Sequence, residues 1–176
     1  MMNYAQLRKM DIANGEGIRV SLFTSGCTHK CPGCFNEIYQ DFSYGNPMTD
    51  EIVNEIISEI EKDYCAGLTL LGGEPFQAPG LAKYLRPVRD RIDQINRDLP
   101  HHERKKDIWA YSGYTYDEII DVPKMQELLV LCDVLVDGLF VEELKDLRLK
   151  FRGSSNQRLI DVKKSLEAGE VVEYKL

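Results

Sequence analysis

Four short apolar runs, each ending at a glycine-bearing turn and separated by long stretches with helical patterning, constrain this chain most. "GIRVSLFTSG", "GLTLLGGEP", "KDIWAYSGY" and "DVLVDG" are rich in β-branched and aromatic residues, the composition of buried strands. The first two are expected to span Ile18 to Thr24 and Leu68 to Leu71. Between them, "PMTDEIVNEIISEIEKDY" sets Ile52, Val53, Ile56, Ile57 and Ile60 on one helical face. Thr49 is placed as N-cap, and Asp50 and Glu51 lie in the first turn. A second helix is marked by Leu81, Tyr84, Leu85, Val88, Ile92 and Ile95, with Pro87 predicting a kink or a late start. "KMQELLVLC" is a third. Crossovers of this length predict parallel pairing, hence an α/β fold with helices outside the sheet.

The 176 residues fit one domain spanning 1–176, and 43% hydrophobic with 29% charged residues is a globular balance. Lys plus Arg at 22 against Asp plus Glu at 29 leaves a net charge of −7. That charge disfavours non-specific attraction to nucleic acid or anionic lipid, so a protein or small-molecule partner is expected. No apolar run approaches the roughly 18 to 20 residues that span a bilayer. "MMNYAQLRKMD" lacks the apolar core of a secretion signal, and the expectation is a cytoplasmic protein with no membrane partner.

In parallel α/β folds, reactive groups collect beyond the C-terminal ends of the strands, whether the sheet is open or closed into a barrel. "SGC", "GGEP", "SGY" and "DG" would therefore share one rim. The first opens "SGCTHKCPGCFN", with Cys27, Cys31 and Cys34 inside a loop spanning 26–36. Five cysteines in all, three of them clustered, point to metal or redox chemistry rather than a disulfide scaffold. Structural zinc asks for four ligands. Cys65 and Cys132 precede predicted strands on the opposite edge of the sheet. A five-residue strand spans about 16 Å, so neither should reach. His29 is read as a solvent-facing or outer residue, His101 and His102 as surface. A 4Fe-4S cluster with three thiolates leaves one iron open to a small molecule; zinc with an outside ligand and three incidental cysteines are the other readings. In "GGEP", a glycine pair permits close backbone approach and the Glu74 carboxylate suits an ammonium; an ordinary strand-ending turn is the alternative. Trp109 and Tyr111 are read as packing residues of their strand.

At these residues the chain resembles a known family. "CTHKCPGC" followed by Phe35 is similar to the CxxxCxxC signature of radical S-adenosylmethionine enzymes. The run from "NYAQLRKMDIANGEGIRVSLFTSGC" through the other three rim motifs to "FRGSSNQR" resembles the activating proteins of anaerobic ribonucleoside-triphosphate reductases. The resemblance implies a partial, open β/α barrel of the radical S-adenosylmethionine type. It implies a 4Fe-4S cluster on Cys27, Cys31 and Cys34, whose fourth iron is chelated by the methionyl group of S-adenosylmethionine. An electron from the cluster would split the sulfonium, and the resulting 5'-deoxyadenosyl radical would take hydrogen from a glycine of the reductase large subunit. Gly33, Cys34, Phe35, Gly73 and Glu74 would line the cofactor pocket, with Phe35 offering its face to adenine and Gly73 and Glu74 meeting the methionyl amine. Flavodoxin is the implied electron donor.

Smaller roles stay open. Gly15 and Gly17 around Glu16 form a turn near the site, Ser112 or Tyr114 faces ribose or peptide, and Asp137 binds ligand or orders its turn. Arg152, Ser154, Asn156 and Arg158, in a segment spanning 150–176, are expected to hold a lid or dock the reductase. Competing readings are an activase for pyruvate formate-lyase, a non-catalytic zinc or iron-sulfur module, and a radical enzyme with a small-molecule substrate.

Overall fold

In the computed structural model, which describes residues 1–176, all four runs are strands lying side by side in chain order. The chain runs β1 (Asn3–Asp11), β2 (Ile18–Thr24), β3 (Asn46–Pro47), α1 (Asp50–Ile60), β4 (Cys65–Gly72) and α2 (Leu81–Asp98). It continues through β5 (Asp107–Tyr111), α3 (Tyr116–Ile120), α4 (Pro123–Leu129), β6 (Val134–Asp137), β7 (Arg158–Asp161) and α5 (Val162–Ala168). One seven-stranded sheet carries them in the order β3-β1-β2-β4-β5-β6-β7, with β2, β4, β5 and β6 mutually parallel.

The expectation of a parallel sheet needs correction at both edges. β1 pairs antiparallel with β2, β3 antiparallel with β1, and β7 antiparallel with β6. Only residues 12–17 join β1 to β2, too few for the crossover a parallel pair requires, so a hairpin is the available geometry. β1 itself escaped the sequence reading because its pattern is half polar, with Gln6, Arg8 and Lys9 among its residues.

Thr49 caps α1 as expected, its hydroxyl accepting from the Ile52 N–H at 3.4 Å. Such a cap contributes about 1 kcal/mol. α2 begins at Leu81 and continues through Pro87, so the proline does not mark a late start. Pro87 and Lys83, whose carbonyl loses its partner, both lie on the exposed face where water can compensate. No helix is long and apolar enough to cross a membrane.

The strands alternate between two unlike faces. Val20, Leu22, Leu68, Leu70, Ile108, Ala110, Leu135 and Ile160 point to one side, where Ile56, Ile60, Leu85, Ile92, Ile119 and Leu129 cover them in a single apolar cluster. Burying each such side chain contributes roughly 1.5 to 3 kcal/mol. The other face shows Arg19, Ser21, Thr69, Trp109 and Tyr111. Loops rather than helices close over it.

Candidate cluster and cofactor site

The four turns at the C-terminal ends of the parallel strands do meet at one rim. A cavity of about 660 Å³ is lined by Cys27 after β2, Gly73 and Glu74 after β4, Ser112 and Gly113 after β5, and Gly138 after β6. That volume suits a cofactor-sized ligand. Cys31, Cys34 and Phe35 line the same cavity, and Phe140, Phe151 and Arg152 from the segment between β6 and β7 form its outer wall.

The cysteine loop leaves β2 through a tight contact with the β4 turn. Gly73 N–H donates to Thr24 O and Glu74 N–H to Gly26 O, both at 2.8 Å. A Cβ on Gly73 would stand 2.5 Å from Gly26 O, so only glycine lets the two turns close. Farther along, Cys34 N–H donates to Cys31 O across Pro32 and Gly33, and Gly33 has φ +72°. Proline then glycine is the order a type II turn demands. The turn brings Cys31 and Cys34 close together.

The three thiols share the cavity but are not gathered into a ready-made metal-ligating group. Burial pushes the Cys27 thiol up to about 11, and the nearby Glu74, Cys31 and Cys34 add to the rise, while the His29 peptide N–H opposes it. Burial raises Cys31 likewise, with the Phe140 peptide N–H opposing. Thiols held this way give up protons readily only to a cation that replaces them. The donor set fits a metal cluster held by three protein thiolates: Cys65, the first residue of β4, and Cys132, just before β6, are buried in the helix-side core and supply no fourth thiolate.

Glu74, expected to meet an ammonium, is 1% exposed and fully hydrogen-bonded within the protein. Oε1 accepts from Phe76 N–H at 3.1 Å and Ser112 Oγ–H at 2.9 Å; Oε2 accepts from Gly113 N–H and contacts His29 Nε2, each at 2.8 Å. His29 is therefore neither solvent-facing nor an outer bystander, a correction to the sequence reading. Its ring also packs edge-on against Tyr114 at 4.5 Å. Ser112 is committed to Glu74, and Tyr114 OH accepts from Gln77 Nε2 at 2.8 Å.

Phe35 is 62% exposed at the cavity mouth, its ring 5.0 Å from that of Phe140 with Lys145 Nζ 5.2 Å above it. Asp137 orders its turn: Oδ2 accepts from Tyr116 N–H at 2.7 Å, and Arg158 binds both carboxylate oxygens at 2.6 and 3.0 Å. The polar segment before β7 latches onto the residues after β6. Asn156 Nδ2 donates to Leu139 O at 2.8 Å, Val141 N–H to Ser154 Oγ at 3.2 Å, and Arg152 to Gln157 O at 2.7 Å. His101 and His102 are exposed, as expected.

Sequence reasoning missed the polar floor. Arg19 is fully buried, donating to Thr69 Oγ1 at 2.8 Å and Leu68 O at 3.0 Å and pairing with Asp107 at 2.7 Å. Asp11 accepts from Ser21 Oγ–H, Asn14 Nδ2 and Ala13 N–H, pinning the loop before β2. Burial alone would raise its carboxyl, but these hydrogen bonds outweigh it and hold the group below its ordinary range. The signal was available: Arg19 and Ser21 alternate with Val20 and Leu22, a period-two pattern that announces a second, polar face.

A family model described as a 4Fe-4S single cluster domain matches residues 13–160. Three proteins bearing one name, anaerobic ribonucleoside-triphosphate reductase-activating protein, are similar along most of the chain. That of Vibrio cholerae is 39% identical over 158 residues, 89% of this chain and 96% of its own length. The Escherichia coli K12 protein is 40% identical with the same coverage, and that of Enterobacteria phage T4 is 37% identical over 90% of this chain and 93% of its own. The chain therefore belongs to the family of anaerobic ribonucleoside-triphosphate reductase-activating proteins.

Proposed function

We propose that this protein is a radical S-adenosylmethionine activase that installs a glycyl radical on an anaerobic ribonucleoside-triphosphate reductase, and that its sheet is a partial barrel of that type. The observation that carries the reading is one cavity lined both by the three loop cysteines and by the Gly73-Glu74 turn. A 4Fe-4S cluster on Cys27, Cys31 and Cys34 would supply the electron that cleaves S-adenosylmethionine. Three protein thiolates would hold the cluster and leave one iron available to the cofactor.

The remaining work falls to the chain's own residues. Cys34 stands on the cavity wall, whereas Gly33, expected to line the pocket, is exposed, lies outside that lining and serves the turn that carries Cys34. The Gly73-Glu74 turn would meet a methionyl amine, Glu74 lending its negative field. Phe35 offers an exposed ring for adenine at the mouth. The outer wall of Phe140, Phe151 and Arg152 would limit the access of water, and the mouth beside Phe35 would admit a peptide segment. A glycine suits that opening, because its Cα radical is stabilised by both adjoining peptide groups and no side chain obstructs approach. The large subunit of the reductase is the proposed protein substrate, flavodoxin the electron donor, and the cytoplasm the location.

Strictly anaerobic iron reconstitution, followed by reductant and S-adenosylmethionine with and without the reductase, tests this. Release of 5'-deoxyadenosine and a glycyl EPR doublet that needs the reductase are the expected results. A loaded protein that leaves the reductase EPR-silent contradicts the activase reading. A doublet on pyruvate formate-lyase instead would reassign the partner.

A further inference from the structure

A carboxylate offers about four lone-pair sites. All of those on Glu74 are taken by protein donors. Three of the donors, Phe76, Ser112 and Gly113, sit on the β4 and β5 turns; only His29 belongs to the cysteine loop. Because a carboxylate accepts and does not donate, Nε2 carries the proton of the 2.8 Å contact. The ring is fixed from two further directions. Tyr114 packs on it, and Gly113 lies so near that a Cβ there would stand 2.6 Å from His29 Cδ2.

Position makes the contact matter. His29 stands two residues from both Cys27 and Cys31. Its neighbour Thr28 is tied to Gln77, and from residue 30 to residue 36 the one side chain that meets a hydrogen-bonding group elsewhere in the protein is the Cys31 thiol, which faces the Phe140 peptide N–H, so His29 is the last side-chain anchor before Cys31. We propose that Glu74 and His29 form a strut that fixes the cysteine loop against the β5 turn, making both positioning residues for the cluster rather than ligands of it. The strut rests on the reading of Cys27, Cys31 and Cys34 as cluster ligands. It also divides the labour of Glu74, whose field reaches the cofactor while its lone pairs hold the loop.

The test needs neither S-adenosylmethionine nor the reductase. Reconstituted protein is challenged with an iron(II) chelator, and the EPR spectrum of the reduced cluster is recorded in parallel. His29→Ala should release iron about 10- to 100-fold faster than the unaltered protein, the usual cost of losing a residue that orients a ligand. Glu74→Gln should do the same, since its amide would turn N–H groups toward the Phe76 or Gly113 N–H. Because the two side chains act as one unit, the double variant should be no worse than the more affected single one. His29→Gln, which keeps an N–H donor at similar reach, should recover much of the slow release and the native EPR line shape. Ile56→Ala, a core lesion remote from the loop, should lower thermal stability without speeding release.

Unchanged release from His29→Ala overturns the strut, as do additive effects in the double variant. A His29→Gln protein as labile as His29→Ala overturns it too. If the unaltered chain takes up no iron, the underlying cluster reading fails, and the strut with it.

Discussion

The two faces of the sheet are built from the same strands and obey opposite rules. Under the helices, Leu22, Leu70, Ile108 and Leu135 alternate into a close-packed apolar layer, and what matters there is volume. On the open face, Arg19, Ser21, Thr69 and Tyr111 occupy the intervening positions, and what matters is whether each polar group finds a partner. Arg19 finds several. Tyr111 OH and Trp109 Nε1 are buried without one. The contrast teaches that the larger apolar core lies on one side, while the other joins a small cluster of Trp109, Val134, Val136 and Leu159 to a site whose polar groups are held by hydrogen bonds.

The sharpest way to break this comparison is at the loop. Replacing Cys27, Cys31 or Cys34 by Ser should take anaerobically bound iron from about four per chain, one cluster's complement, to near none. Cys65→Ser and Cys132→Ser, altering thiols of the helix-side core, should leave iron content intact. Iron analysis and the visible absorption of the cluster would show it.

A lesion on the packed face should do the reverse. Ile56→Ala removes a fully buried side chain and should cost about 2 to 5 kcal/mol in denaturant unfolding, while the protein that remains folded binds iron normally. An intermediate case is Asp137, which accepts from the first N–H of α3 and pairs with Arg158. Asp137→Ala should cost about 1 to 3 kcal/mol, read from the same unfolding curves, because the Tyr116 N–H is left buried without an acceptor.

The smallest effect tests the open face itself. Tyr111→Phe removes a hydroxyl that burial already drives away from ionisation and that has no partner. Stability should stay level or rise by up to about 1 kcal/mol. A clear loss would mean that the hydroxyl has a role the packing account lacks.

Legibility in the sequence follows the same division. β2 begins and ends where its apolar run predicted, Thr49 caps α1, and the cysteine loop, the Gly73-Glu74 turn and the turns after β5 and β6 meet at one rim. These are local signals, carried by periodicity and turn residues. β1 and β7 were not legible, because each is short or half polar and becomes a strand only by pairing with a neighbour. Gly73 was flagged for close approach, but its partner, Gly26 O, could be known only from the packing of two turns. His29 was misjudged for a similar reason: nothing near it in sequence announces Glu74, 45 residues away. Long-range hydrogen bonds leave no trace in local composition.

The central claim is that protein thiolates hold three irons of a cluster and leave the fourth open. Mössbauer spectroscopy of anaerobically reconstituted, iron-57-labelled protein, recorded before and after addition of S-adenosylmethionine, tests it most directly. One iron of four should change its isomer shift and quadrupole splitting when the nucleotide is added, with the other three little altered. Four irons that respond alike, or not at all, would contradict the account.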